Sequence, residues 1–223
     1  MDESKKAQIR NMLCGIELYN PNNIELLHEY LIEQCAENTY DLEANLAILR
    51  LYQFNPKEVD KDDIIKILLK ALTALPNPDF ILCKSLIDPQ FFEEEEIDPN
   101  IKHVLQLHQL LEICDFKNFW TTLRSDPAVY LDIAGFDDSI RQFICYVVKI
   151  TYQTINKSTL CELLGGLDDT QLKYWTNLNK WKNCNDGNDG YVFISNQEEL
   201  IKSKNIKEKI EFDSIARVVA AYK

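Results

Sequence analysis

A chain of 223 residues, 46% hydrophobic and 27% charged, has ordinary globular composition and is long enough for one large domain or two small ones. No apolar run approaches the roughly 20 residues of a membrane span, and the charged segment Met1–Arg10 lacks the apolar stretch of a secretion leader, so a soluble cytoplasmic protein with no membrane partner is expected. The net charge of −12 lies wholly in residues 1–135, with 24 acids and 12 bases against 12 of each in 136–223, which makes the first part a poor grip for a phosphate backbone.

Apolar stripes at helical spacing open with Ile24, Leu27, Leu31 and Cys35. A second helix is expected from Asp41 to about Phe54, stopping before Asn55-Pro56. In a third, Ile64, Ile67, Leu68, Ala71, Leu72 and Leu75 line one face. Asp60 is its expected N-cap, Asp62 and Asp63 complement the positive helix start, and Pro76 ends it. A further stripe runs through Val104, Leu107, His108, Leu111 and Cys114. Helices of about 12–16 residues joined by short Pro/Asn/Asp turns predict stacked antiparallel pairs of the HEAT or tetratricopeptide kind, without a strict sequence repeat. Asp88-Pro89, Phe91-Phe92, the four residues Glu93–Glu96 and Asp98-Pro99 form a solvated linker, whose two phenylalanines are expected to pack back onto the helices.

Past Gly135 the pattern changes. Ile140, Phe143, Ile144, Val147 and Thr151 mark a long apolar helix. A short helix opened by Ser158 or Thr159 closes at Gly165-Gly166, and a third opens with Asp168 and Gln171 in capping-box spacing and carries Leu172, Trp175 and Leu178. Asn183–Gly190 is turn chemistry, Tyr191–Ile194 the best strand candidate, and Thr154–Lys157 could supply a short first strand. Three helices and a two-strand wing are the order of a winged-helix fold. The fold class is therefore mostly α, with a HEAT-like helical-repeat domain over 1–135 and a winged-helix domain over 136–223. A last helix, capped by Asp213, places Ile215, Val218, Val219 and Tyr222 on one face as candidate partner-binding residues. That face either docks against a partner or folds back on the wing.

The chemistry of an enzyme is missing. His103 and His108 stand about 140° apart around a helix and share no metal face. The second of these, on an apolar stripe, reads as a hydrogen-bonded core histidine. The sequence has no H-E-x-x-H, nucleophile elbow or phosphate-cradling loop, and its Asn/Asp/Gly run fails the ligand spacing of a calcium loop. Asp137-Asp138 and Asp168-Asp169 are helix starts. The seven scattered cysteines read as free thiols, mostly in the core. No catalytic, cofactor-binding or metal residue is expected. Lys202, Lys204, Lys207 and Lys209 form one basic cluster, and Lys173, Lys180 and Lys182 lie on or just after the third helix of the second part. They are a plain solvated surface or weak phosphate contacts. In a helix-turn-helix reader that helix would enter the major groove, but it offers no arginine and exposes either Tyr174 or Trp175. A winged-helix nucleic-acid-binding protein is thus the alternative function, and tight binding of nucleic acid is not expected.

Longer strings carry a resemblance. Tyr19-Asn20-Pro21, Tyr40-Asp41-Leu42-Glu43-Ala44-Asn45-Leu46, Leu51-Tyr52-Gln53-Phe54-Asn55-Pro56 and Leu68-Leu69-Lys70-Ala71-Leu72 stand in the first part. Arg141-Gln142-Phe143-Ile144, Ile150-Thr151-Tyr152-Gln153, Gln171-Leu172-Lys173 and Ser195-Asn196-Gln197-Glu198-Glu199 follow, then Ile201-Lys202-Ser203-Lys204-Asn205-Ile206 and Glu208-Lys209-Ile210. From about Leu13 to Arg217 the chain resembles the family of the k subunit of eukaryotic translation initiation factor 3. The resemblance implies a HEAT-like domain followed by a winged helix, related to modules that assemble the proteasome lid and signalosome. It implies a non-catalytic scaffold subunit of the initiation factor, reaching the small ribosomal subunit through the complex. Its partners would be the other subunits, especially the l subunit, met through the C-terminal end. No cofactor comes with the family. The linker Phe91–Asn100 departs from it in being longer and more acidic.

Overall fold

The structure, a computed structural model, describes residues 3–13, 15–92, 98–184 and 190–196, together with Ile215 and Ala220. It is mostly helical, with one small sheet near the C-terminal end of the described chain. Seven helices come first: α1 (Glu3–Met12), α2 (Ile24–Ala36), α3 (Leu42–Phe54), α4 (Lys61–Thr73), α5 (Asp79–Leu86), α6 (Pro99–Glu112) and α7 (Phe116–Ser125). The winged-helix order follows as α8 (Phe136–Thr151), β1 (Thr154–Asn156), α9 (Lys157–Leu163), α10 (Asp169–Leu178), β2 (Lys182–Asn183) and β3 (Tyr191–Phe193).

Side-chain carboxylates start the early helices. Asp41 caps α3, Asp60 caps α4, Asp98 caps α6 and Asp115 caps α7, each accepting from a backbone N–H of the first turn. The centre is α4, which packs on α2, α5, α6 and α8. It buries Ile65, Leu69 and Lys70 as well as the expected stripe from Ile64 to Leu72, while Leu75 falls past its end and is half-buried, so it is an all-round core helix rather than a one-faced one. Burial holds the Lys70 ammonium below the usual lysine range.

Several expectations need correction. Asp63 lies in the first turn of α4, as expected of a complement to the helix start, but its burial was not foreseen: it is wholly buried, accepting from the Tyr52 hydroxyl at 2.7 Å and from His28 Nδ1 at 2.8 Å. α4 ends at Thr73, three residues before Pro76. Cys114 lies past α6 in a left-handed turn (φ 58°) and is exposed. α9 is capped by Asn156, ahead of Ser158. Thr151 and Leu178, assigned to apolar faces, are exposed. α5 and α7, of 8 and 10 residues, are shorter than the expected repeat helices, and with α1 they were not anticipated. His108 meets the core by stacking on Phe80, centroids 3.8 Å apart and planes within 9°, with Glu112 at 3.6 Å. Of the cysteines, Cys35, Cys83 and Cys145 are buried and Cys161 and Cys184 half-buried, while Cys14 falls outside the described residues. Phe91 and Phe92 do pack back on the helices, and Lys84 Nζ sits 5.6 Å over the Phe92 ring. Glu93–Glu96 lie outside the described residues.

The sheet order is β1-β3-β2, antiparallel throughout, with Thr154 opposite Phe193 and Lys182 opposite Phe193 on the other side. Ile155 and Val192 face inward and Tyr191 and Phe193 outward, the alternation a half-buried sheet requires. β2 and β3 are the two strands expected of the wing, the first only two residues long. The Asp168–Gln171 capping box that opens α10 is present.

A joint unites the helical series with the winged helix. Trp120 of α7 donates from Nε1 to the Leu163 carbonyl at 2.8 Å, Arg124 donates to the Gly165 carbonyl, and Arg141 of α8 donates to the Leu164 carbonyl at 3.2 Å. Three orphan carbonyls at the end of α9 are thereby satisfied by side chains from two other helices. Arg141 also lies over the Trp120 ring, 5.2 Å from its centroid. Gly165 (φ 93°) permits the close approach, since a Cβ there would stand 2.9 Å from Trp120 Cδ2. The buried residues of both parts form one continuous core.

Candidate functional site

The second part concentrates exposed apolar side chains. On α8, Tyr146 and Ile150 are one turn apart and share an outer face, with Tyr152 just beyond. On α10, Tyr174 and Leu178 do the same, at 62% and 56% exposure. Tyr191 and Phe193 occupy the outer face of the central strand. The end of the central strand is fastened to the last turn of α8 and the residues after it, since Ile194 N donates to the Gln153 carbonyl and Ser195 Oγ to the Lys149 carbonyl. Rings and aliphatics are therefore exposed on fixed elements, two on α8, two on α10 and two on β3.

Trp175 is turned inward, its ring edge-on to Tyr174 at 5.9 Å, so Tyr174 is the exposed aromatic of the pair. Lys173 is exposed on α10, Lys180 is exposed just past its end (φ 58°), and Lys182 is exposed on β2. The three do not converge on one helix face. Ile215 is helical and exposed. Val218, Val219 and Tyr222, and the cluster Lys202, Lys204, Lys207 and Lys209, lie outside the described residues.

The buried thiols are poorly placed for chemistry. Burial pushes Cys83 and Cys145 up to about 12 and raises Cys35 as well, which keeps them protonated and unreactive. Burial also pushes His108 below its ordinary value. The carboxylate system of α3 and α4 is different. Burial, then the hydrogen bond to Asp63, pushes the Tyr52 phenol far up, so it is a fixed donor. His28, Asp60 and Asp63 bring ligand-type atoms within 4.8 Å of one another. Sequence reasoning missed this group because its members come from different helices. The one signal was Asp60 and Asp63 three apart on α4, which capping and the dipole explained.

Comparison with known proteins gives a consistent answer. The model of the CSN8/PSMD8/EIF3K family matches residues 58–205. The chain is 47% identical over 221 residues to "Eukaryotic translation initiation factor 3 subunit K" of Homo sapiens, covering 99% of this chain and 98% of that protein. The protein of the same name from Bombyx mori is 47% identical over 220 residues, with 99% and 97% covered, and that of Mus musculus 48% identical over 221 residues, with 99% and 98% covered.

Proposed function

The chain belongs to the CSN8/PSMD8/EIF3K family, and on that premise we propose that it is a non-catalytic scaffold subunit of translation initiation factor 3. The single observation that carries this reading is near-full-length similarity to subunits of that name. The chemistry agrees: among the described residues the second part exposes apolar side chains on its helices and sheet, and Lys173, Lys180 and Lys182 are spread over separate elements.

Within this reading the helical-repeat module spans 1–135 and the winged-helix module 136–223. The left-handed Gly135 at the start of α8 supports that boundary. The main partner surface is the winged-helix module with the C-terminal stripe Ile215, Val218, Val219 and Tyr222, and the partner is another subunit of the factor, the l subunit first. Lys173, Lys180, Lys182, Lys202, Lys204, Lys207 and Lys209 give at most weak phosphate contacts when the complex meets the small ribosomal subunit. The work is cytoplasmic, and among the described residues no helix is long and apolar enough to cross a membrane.

The test is affinity purification of the tagged chain from its own cells. Subunits of the initiation factor are expected to co-purify in stoichiometric amount, and their absence overturns the assignment. Tyr174→Asp with Leu178→Asp, and separately Val218→Asp with Val219→Asp, should weaken recovery of the l subunit while leaving the melt of the free chain unchanged. Undiminished recovery in both pairs removes this face as the docking surface.

A further inference from the structure

His28, Asp60 and Asp63 line a cleft of about 610 Å³ between α2, the turn before it and the start of α4. Asp63 has no exposure, and its two oxygens each lie 2.8 Å from His28 Nδ1. The Tyr52 hydroxyl adds a neutral donor at 2.7 Å. A buried carboxylate needs a positive partner, because leaving it uncompensated costs several kcal/mol. A cation can meet that need from the open side. The cleft lining carries four carboxylates (Glu25, Glu58, Asp60 and Asp63) and neither lysine nor arginine. His28 stands at the mouth, its side chain 36% exposed.

We propose that His28, Asp60 and Asp63 bind one divalent transition-metal ion of the zinc type. The imidazole selects this class over magnesium or calcium, which prefer all-oxygen sites. In a zinc site, nitrogen and carboxylate oxygen stand about 2.0–2.2 Å from the ion, so the ligand atoms need only small side-chain rotations from their present mutual separations, all within 4.8 Å. The ion takes the place of the proton between Nδ1 and the Asp63 carboxylate, and that proton leaves to solvent. Asp60, whose Oδ1 caps α4 by accepting from Asp62 N, brings a second carboxylate. Acidic neighbours offset the positive end of the α4 dipole. The ion ties α2 to the start of α4, so its effect is structural and independent of the subunit assignment.

Cobalt(II), with zinc(II) as competitor, tests the site on the full-length chain after chelator treatment. One equivalent is expected to bind with no thiolate-to-cobalt charge-transfer band, to be displaced by zinc, and to raise the melting temperature. Two variants keep the fold in place: Asp60→Asn retains a good cap, and His28→Gln retains a donor towards Asp63. Each should weaken binding by about tenfold or more. Three results overturn the proposal: no binding by the wild-type chain, affinity unchanged in both variants, or a thiolate band showing that cysteines hold the ion. The first of these leaves the His28 ring and the Tyr52 hydroxyl as the partners of Asp63.

Discussion

The helical series and the winged helix are stabilised by different means. In the first part, buried polar groups are distributed through the helix stack. Gln34 donates to Asn45 at 3.0 Å and accepts from the backbone of Asp41 at 2.8 Å, while Tyr30 donates to Asp41 and Tyr40 to Asp79. Around that network α4 is enclosed on all sides. In the second part the helices α9 and α10 have 7 and 10 residues, the strands two or three, and order comes from caps and from the joint at Leu163–Gly165. Among the described residues, seven large apolar side chains are exposed between Tyr146 and Phe193, as many as in the whole stretch up to Leu131. The first part thus makes most of its polar contacts within the helix stack, with Thr39 Oγ1, Asn45 Nδ2 and His103 Nε2 buried without a partner, and the second is tied to it through the joint while exposing apolar side chains.

The strongest way to break that contrast is to remove the joint. Trp120→Ala deletes a 3%-exposed ring and leaves the Leu163 carbonyl without its donor. The expected loss is about 3–5 kcal/mol, read by chemical denaturation. Because the core is continuous, the transition should stay single. Hydrogen exchange that accelerates only after residue 135, with the first part unchanged, would show two independent units. Gly165→Ala should act in the same direction and cost about 1–3 kcal/mol, through left-handed backbone strain and contact with Trp120.

Periodicity made α2, α3, α4, α6 and α8 legible, because each has an apolar face long enough to repeat. The capping box at Asp168 and the strand at Tyr191 were equally readable, being local chemistry. What escaped was long-range. No local pattern announces that Asp63 is taken inward by Tyr52 and His28, or that Trp120 finds a carbonyl 43 residues away. The residues of β2, the first strand of the expected wing, were hidden for the same reason, since two residues carry no period and exist as a strand only through pairing with β3. The string Tyr40–Leu46, quoted for its resemblance alone, gains a physical account: Tyr40, Asp41 and Asn45 are members of the buried polar network.

A smaller test sharpens the first half of the contrast. Lys70 is 1% exposed in the α4 core, and burial lowers its pKa. The unfolded chain therefore binds the proton more readily than the folded one between the lowered value and the ordinary 10.5. Stability rises with pH across that window, so the penalty of the buried ammonium is greatest below it. Lys70→Met, similar in shape and free of charge, should raise stability by about 1–2 kcal/mol at neutral pH and by less near pH 11. Urea melts at both pH values check this. A destabilised variant would mean that the ammonium makes an interaction the core depends on.

The smallest effect concerns the cap that starts α10. Asp168 accepts from the Gln171 N–H at 2.7 Å and from the Thr170 hydroxyl at 2.8 Å. The backbone bond to Gln171 first, then the Thr170 hydroxyl, holds its carboxyl below the ordinary 3.8. A depressed acid contributes stability that is fully present above its unfolded pKa and is lost as pH falls through the folded one. Asp168→Ala should therefore lower the melting temperature slightly at pH 7, and the gap to wild type should close as pH drops below the ordinary aspartate range. Asp168→Asn, an equally good cap without the charge, should show little loss at neutral pH and no closing gap. The site is fully exposed, so added salt should reduce the charge-dependent part, the difference between the aspartate and asparagine chains. If alanine and asparagine behave alike at every pH, the capping bond is not what starts α10. Its start would then be set by the packing of Leu172 and Trp175, and the second part would depend on the core as the first does.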